Sequence, residues 1–442
     1  MKGLISQLKK LAAEVFTVVT SRGGLKALLH DPLYSNAMYL MLVNIVNALV
    51  GFVFWIIAAR FYSTSDVGLA TATLSAASLL ATLSSIGFGY GLIRFLKSSA
   101  NPFALINSSF TTVGVISVIA ALIFVLGIGL WSPKLVFIRE NAIYFAAFVL
   151  IIPAVTIAGL TDTIFVAGRR AGYVLARNLI VNISRLVLLV ALATFLHSFG
   201  IFASWGMSVA ASLLVGILLF LPRFHPGYRP RLDFKRKILT DVVHFSFLNY
   251  LGDMLWAAPG YLLPILVLNV LSAESNAYYY IAWAIGGMLT MIPGAISTSL
   301  FAEGSHKEEG LDQNVLRSLK MIFLLLIPVV ILVVALADKL LLLFGELYSQ
   351  NATNLLRLIA IAALPVAVNS VYMSIKRVQR KLKIILGLSA FAGVVTVVLS
   401  YILLPYAGIA GAGIAWLTTQ SCITLVVVAD WLKKRRMITP PN

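Results

Sequence analysis

Apolar residues run in long stretches along this chain, separated by short breaks rich in charged and turn-forming residues. A helix that crosses a bilayer needs about 20 mostly apolar residues. Reading the runs between breaks predicts twelve such helices, near residues 36–59, 68–93, 107–131, 142–166, 173–196, 201–221, 244–269, 277–300, 317–337, 353–373, 384–404 and 409–431. The first run follows a polar-rich lead of 35 residues and precedes eleven more, so it reads as a retained span, not a cleaved signal peptide.

The distribution of Lys and Arg then orients the spans. With the N-terminus and every second loop on one face, that face holds 28 of the 34 basic residues, including Lys9, Lys10, Arg169, Arg170, Arg229, Arg231, Lys376, Arg377 and the run Lys433 to Arg436. The opposite face holds Arg60, Lys134, Arg139 and Lys339, and two arginines fall within spans. Both termini are therefore expected in the cytoplasm of a multi-pass cell-membrane protein. In the lead, Leu4, Leu8, Leu11, Val15 and Val18 share one helical face beside Lys2, Lys9 and Lys10, which predicts an interfacial amphipathic helix.

Composition agrees with this. Of 442 residues, 60% are hydrophobic and 11% charged, too little charge to cover a soluble surface. The net charge of +18 is explained by topology and by attraction to anionic lipid headgroups, so no nucleic-acid partner is expected. A lone cysteine, Cys422, permits neither an intrachain disulfide nor a cysteine metal site.

The two halves resemble each other. Ser63 and Gly68 in the first hairpin turn match Ser272 and Ala277 at an offset of 209, and Asn44 matches Asp253. Gly200-Ile201 recurs as Gly408-Ile409, and Arg169 as Arg377, at an offset of 208. Six spans per copy is an even number, so the copies share one orientation about an axis along the membrane normal. The expected fold is an all-α polytopic membrane protein, with about 12 transmembrane helices in two parallel six-helix repeats around a central cavity. Its segments are an amphipathic cytoplasmic lead (1–33), an N-terminal lobe (34–221), a cytoplasmic linker (222–240), a C-terminal lobe (241–431) and a basic tail (432–442). Pro259 and Pro264 in span seven predict a bent or partly unwound helix. The run Gly87-Phe-Gly-Tyr-Gly91 suits close helix packing.

Polar residues within spans mark candidate sites. Asn178, Asn182 and Arg185 share one face of span five. Asn44 and Asn47 lie on a face of span one that continues through Gly51 and Trp55, and Asn249, Asp253, Trp256 and Gly260 do so in span seven. These stripes are expected to line one cavity and bind substrate, with Arg185 gripping phosphate oxygens through its planar fork of donors. The alternative is that they hydrogen-bond between helices, with Arg185 paired to an acid. Asp162 lies about seven residues shallower than Arg185, roughly 10 Å, so that acid is not expected to be Asp162. Arg94 and Glu303 hold corresponding positions at an offset of 209 with opposite charges and are expected to form part of an inner gate. Asn351-Ala-Thr353 is a glycosylation sequon in an expected external loop.

Enzyme chemistry finds no support. A G-x-x-x-x-G-K-[ST] phosphate loop, a D-x-D pair and an H-E-x-x-H motif are all missing, and the five histidines lack ligand spacing. No cofactor, metal or catalytic residue is expected, and transport must run on an ion gradient (H+ or Na+) or on the substrate's own gradient.

Several stretches resemble polysaccharide-export flippases of the multidrug/oligosaccharidyl-lipid/polysaccharide exporter superfamily. They are Trp55-Ile-Ile-Ala-Ala-Arg60 through Gly68, Gly91-Leu-Ile-Arg94-Phe, Asn249-Tyr-Leu, Ala277-Tyr-Tyr-Tyr-Ile-Ala-Trp283 and Ser297 through Ser305. The resemblance covers roughly residues 34 to 432. It implies two six-helix lobes, alternating access, and transfer of a polyprenyl-pyrophosphate-linked oligosaccharide to the outer leaflet, as in the assembly of lipopolysaccharide and other surface glycans. Twelve spans depart from the fourteen expected of the lipid II branch, and Arg185 is the one deep basic group. A cation-coupled drug antiporter of the same superfamily is the alternative, with Asp253 and Asp162 as its carboxylates. A membrane-embedded glycosyl- or acyltransferase would need a catalytic constellation that the chain does not show.

Overall fold

The computed structural model describes residues 32–306 and 311–438, and among these every regular element is helical. The expected amphipathic lead and the end of the basic tail lie outside the described residues. In chain order the long helices are α1 (Pro32–Phe61), α2 (Thr64–Ser85), α3 (Phe88–Phe95), α4 (Pro102–Leu126), α5 (Ala142–Ala167), α6 (Ala171–Val215), α7 (Arg236–Val270), α8 (Ala273–Leu289), α9 (Met291–His306), α10 (Leu311–Ala335), α11 (Glu346–Val378), α12 (Leu382–Ala407) and α13 (Ala410–Ile438). Among the described residues eleven helical segments are long and apolar enough to cross a membrane. The pair α8 and α9, bent by 40° at Thr290, supplies a twelfth crossing.

Three expected spans differ from a plain separate helix. Span two is broken: Ile86 and Gly87 adopt φ of +40° and +76°, which end α2 and restart the chain as α3. Spans five and six form one continuous helical assignment, α6, yet a Cβ placed on Gly200 would lie 3.0 Å from the Leu192 carbonyl oxygen. Eight residues of straight helix would separate those atoms by about 12 Å. The chain therefore doubles back there, and the two arms are separate crossings.

Span seven was expected to be bent or partly unwound, and of these the unwinding does not occur. α7 runs unbroken through Pro259 and Pro264. Pro259 cannot donate to the carbonyl of Leu255, four residues earlier. That freed carbonyl is covered by α12, because a Cβ on Gly393 would come within 2.5 Å of the Leu255 oxygen. Glycine there lets the neighbouring backbone close over the gap, which is how membrane helices tolerate proline.

Within each half the packing is parallel in plan. The first arm of α6 packs on α1, as α12 packs on α7; α5 and α11 lie behind α2 and α8 respectively. Local geometry supports the offset of 209 at one point: Ser63 and Ser272 each cap a helix by accepting from the backbone N–H three residues on, at 3.0 and 3.1 Å. It revises another match. A Cβ on Gly411 would lie 2.7 Å from the Leu403 oxygen, the same hairpin contact as Gly200 with Leu192, so Gly411 and not Gly408 is the structural counterpart of Gly200. The sequon residue Asn351 lies in the helical start of α11, not in a loop, and donates to the Leu347 carbonyl at 2.8 Å.

The Gly393 contact has a measurable consequence. Gly393→Val should lower thermal stability in detergent by about 1–3 kcal/mol, the cost of overpacking, whereas Gly387→Val on the same helix meets nothing within 4 Å of its new Cβ and should leave the melting temperature nearly unchanged. Equal losses in the two variants would remove the close approach at Leu255 as the cause.

Candidate functional site

The two halves meet along α2, α3, α7 and α8. At the membrane face opposite the basic loops the seam is closed by polar contacts. Arg60 donates to the Leu342 and Leu343 carbonyls at 3.1–3.4 Å, and Lys134 to those of Leu268 and Leu271 at 2.8 and 2.9 Å. Asn276 donates to the Gly68 carbonyl at 2.7 Å, in a contact so close that a Cβ on Gly68 would overlap the Ala273 carbonyl.

Toward the basic face the seam is asymmetric. On one side α3 lies against α7, with Gly87 against Ser246 and Tyr250, and Gly91 against Val242. The Tyr250 hydroxyl reaches the Thr82 and Leu83 carbonyls at 2.9 and 3.1 Å. On the other side α9 packs against α10 and α11 of its own half, and Met41, Leu42, Asn44 and Ile45 of α1 are exposed.

The asparagine stripes of spans one and five come together. Asn47 donates to the Asn178 side-chain oxygen at 3.1 Å, and Asn182 donates to the Asn47 oxygen at 2.7 Å. This ladder fastens α1 to the first arm of α6. One turn deeper, Arg185 lies beside Gly51 and over the Phe54 ring, 5.2 Å from its centroid. Its Nε and Nη2 are buried with no acceptor on the protein. A small cavity of about 130 Å3 adjoins Asn47, Gly51 and Trp55 on one wall and Ala284 and Met288 of α8 on the other. Trp55 packs on Tyr280 of α8 at 4.8 Å, so this region lies at the junction of the halves.

The stripe of span seven is engaged differently. Asp253 forms an ion pair with Arg377 of α11 at 2.7 Å and accepts a hydrogen bond from Tyr90 of α3. Trp256 lies 6.5 Å from Trp416, ring to ring, within the second half. Asn249 is half-buried on α7, away from the asparagine ladder, and Asn44 is exposed on α1 without joining it. Asp162 is held by Arg177, whose Nη1 also donates to Ser212 at 2.9 Å; its depth had already argued against Arg185. Of the expected gate pair, Arg94 ends α3 and Glu303 lies in α9, but the Glu303 side chain is outside the described residues. Tyr90 with Asp253 is one link between halves at this face, one turn from Arg94. Sequence reading missed Tyr90, which sat inside a run read for its glycines, and read Arg377 as a basic-face charge and the repeat counterpart of Arg169, not as a partner of Asp253. Among the described residues no cluster of His, Cys, Asp or Glu could hold a metal ion.

Two helical halves joined along one seam, with this many apolar crossings, define a multi-pass membrane protein. Solved structures share the fold. Lipid II flippase MurJ in an inward closed conformation superposes with a TM-score of 0.71 at 12% identity, covering 88% of this chain and 87% of that one. A multidrug resistance MATE family transporter of the MOP superfamily, inward-facing, gives 0.64 at 17% identity, covering 88% and 94%. A MOP superfamily transporter from Pyrococcus furiosus, described as having a binding pocket of reverse polarity, gives 0.57 at 14%, covering 95% and 100%. The MatE family profile matches residues 260–402, and no curated protein matches the chain. The profile described as "polysaccharide biosynthesis protein" matches residues 33–301, more than half of the chain. The chain belongs to that family, is a multi-pass membrane protein, and shares its fold with transporters of the MOP superfamily.

The Tyr90–Asp253 contact yields a prediction. Cysteines at Gly91 and Val242, whose Cβ positions would be 3.1 Å apart, near the 3.5–4.5 Å of disulfides, should cross-link readily in a Cys422→Ser background. Adding Tyr90→Phe or Asp253→Asn should slow that cross-linking severalfold. Unchanged rates in both would show that the pair does not hold the halves together.

Proposed function

We propose that this transporter is a flippase that moves a polyprenyl-pyrophosphate-linked oligosaccharide from the cytoplasmic to the outer leaflet for surface glycan assembly. The observation that carries the reading is Arg185. A guanidinium buried among α1 and α6 with donors that meet no acceptor on the protein is costly in hydrocarbon and matches the bidentate geometry of phosphate oxygens. The asparagine ladder of Asn47, Asn178 and Asn182 holds the two helices that carry it in register. Asn44, Asn249, Asp253 and Trp256 belong to the same proposal as further lining of the path, and Arg94 and Glu303 as part of the gate.

The membership in a polysaccharide biosynthesis family supports a glycan cargo. The basic face is taken as cytoplasmic, with both termini there and with anionic lipids around it. The antiporter reading has less support. Asp162, Asp253 and Asp430, which lie within crossing helices, each have a basic partner in Arg177, Arg377 and Lys376, which leaves them poorly placed to exchange a proton or sodium ion. No nucleic acid, cofactor or catalytic step enters the mechanism.

Native mass spectrometry of protein purified gently from its own membranes should detect a bound polyprenyl-pyrophosphate glycan. Arg185→Ala should lose that ligand and reduce surface glycan export at least tenfold while remaining folded and membrane-inserted. Normal export by the variant would remove Arg185 from the cargo site. Cationic dyes that bind in competition with protons, with only ordinary phospholipids bound, would favour the antiporter.

A further inference from the structure

A second cavity, separate from the Arg185 region, lies where α2, α3 and α5 meet Tyr261 of α7. It measures about 390 Å3, within the roughly 300–1,000 Å3 usual for small-molecule sites. Its walls carry oxygen and no charge. Ser78, Thr82, Ser85, Thr163 and Tyr261 bring hydroxyl groups, and no lining residue is acidic or basic.

The hydroxyl protons are partly spent on the helices themselves. Ser85 donates to the Thr82 carbonyl at 2.8 Å and Thr163 to the Gly159 carbonyl at 2.9 Å. A hydroxyl has one donor and two lone pairs, so these side chains turn acceptors toward the cavity. A ligand that complements the wall must bring donors. An anion is disfavoured there, and a neutral polyhydroxy group fits. Two glycines keep the space clear: Gly159 has nothing within 4 Å of where a Cβ would stand, and Gly89 meets only Thr163, at 3.6 Å.

Position adds to chemistry. Gly159 and Thr163 lie in the last turns of α5, toward the basic face, whereas Arg185 is near the middle of its span. Both regions lie on the seam between the halves: Trp55, next to the Phe54 ring that Arg185 covers, packs on Tyr280 of α8, and Thr82 of the pocket approaches Tyr261 of α7. We propose that this pocket holds the sugar nearest the pyrophosphate of the lipid-linked cargo while Arg185 engages the pyrophosphate, an inference that rests on the flippase reading. Because Tyr261, which approaches Thr82 at 3.5 Å, comes from the other half, the pocket loses a wall when the halves part. Sugar binding and lobe position are therefore coupled.

The test uses the full-length protein in lipid nanodiscs and compares bare polyprenyl pyrophosphate with the same carrier bearing one hexose or one N-acetylhexosamine. At least one sugar-bearing carrier should bind about tenfold more tightly than the bare one. Gly159→Leu, which fills the pocket, should abolish that gain and leave bare-carrier affinity within twofold. The Thr82→Val, Thr163→Val double variant, which removes oxygens at nearly constant volume, should reduce it. A gain that survives in both variants overturns the proposal. So does a bare carrier that binds while no sugar adds affinity, which would leave the flippase reading standing. Failure of the bare carrier to bind at all would overturn both. Sodium-dependent stabilisation lost in Gly159→Leu, with no sugar effect, would make the pocket a cation site and refute the sugar assignment.

Discussion

An unpartnered polar group in hydrocarbon is expensive, and that constraint decides where each polar side chain of this chain can stand. Most are satisfied within one half. Asn47, Asn178 and Asn182 bond one another; Asn369, Gln420 and Thr424 do the same between α11 and α13. Asp162 is matched by Arg177, and Asp430 by Lys376, which also lies 4.5 Å from the Tyr372 ring centroid. These groups fasten helices within each half. Other buried hydroxyl and amide atoms also lack a partner, but Arg185 stands out among them as a permanently charged group with two buried, unmatched nitrogens. A cost left uncompensated by the protein is a cost that a ligand can offset.

The repeats share a plan and solve the same contacts with different chemistry. Where α1 meets α6, amide side chains bridge the helices. Where α7 meets α12, a glycine lets the backbone of α12 close over the carbonyl that Pro259 frees. The first joint is polar and lies beside the guanidinium, while the second is a dry, close contact. The seam between halves is asymmetric too, with α3 docked on α7 while α9 remains with its own half. Related helices thus make different contacts on the two sides of the seam.

Much of this architecture was legible in the sequence because membrane helices announce themselves by length and apolarity. The ladder was legible as well, since Asn178 and Asn182 at i and i+4 must share a face. What escaped was partnership across helices distant in sequence. Tyr90 and Asp253 are 163 residues apart, and nothing in a run of glycines says which side chain points at the other half. The continuity of α7 escaped for a similar reason. Its prolines were visible, but the glycine on α12 that covers Leu255 gains meaning only when the two helices are side by side. The Gly200–Gly408 match failed because residue identity was taken for equivalence. The shared feature is the approach of a glycine to a carbonyl eight residues back, which selects Gly411.

The arrangement around Asp253 bears on how the halves can separate at an affordable energy. Its two partners differ in kind: Arg377 belongs to the same half and is charged, whereas Tyr90 belongs to the other half and is neutral. If the halves part along α3 and α7, the bond to Tyr90 breaks and the ion pair travels intact with its lobe. The net cost of a hydrogen bond is about 0.5–1.5 kcal/mol, and up to about 3 kcal/mol when one partner is charged. Stranding a buried carboxylate would cost more. Side chains on both members of the ion pair are also nearly half exposed, at 45% and 43%, so water can replace the phenol. A transporter must cross such a step in every cycle, and assigning the strong interaction to one body and the weak one to the moving seam keeps that step small.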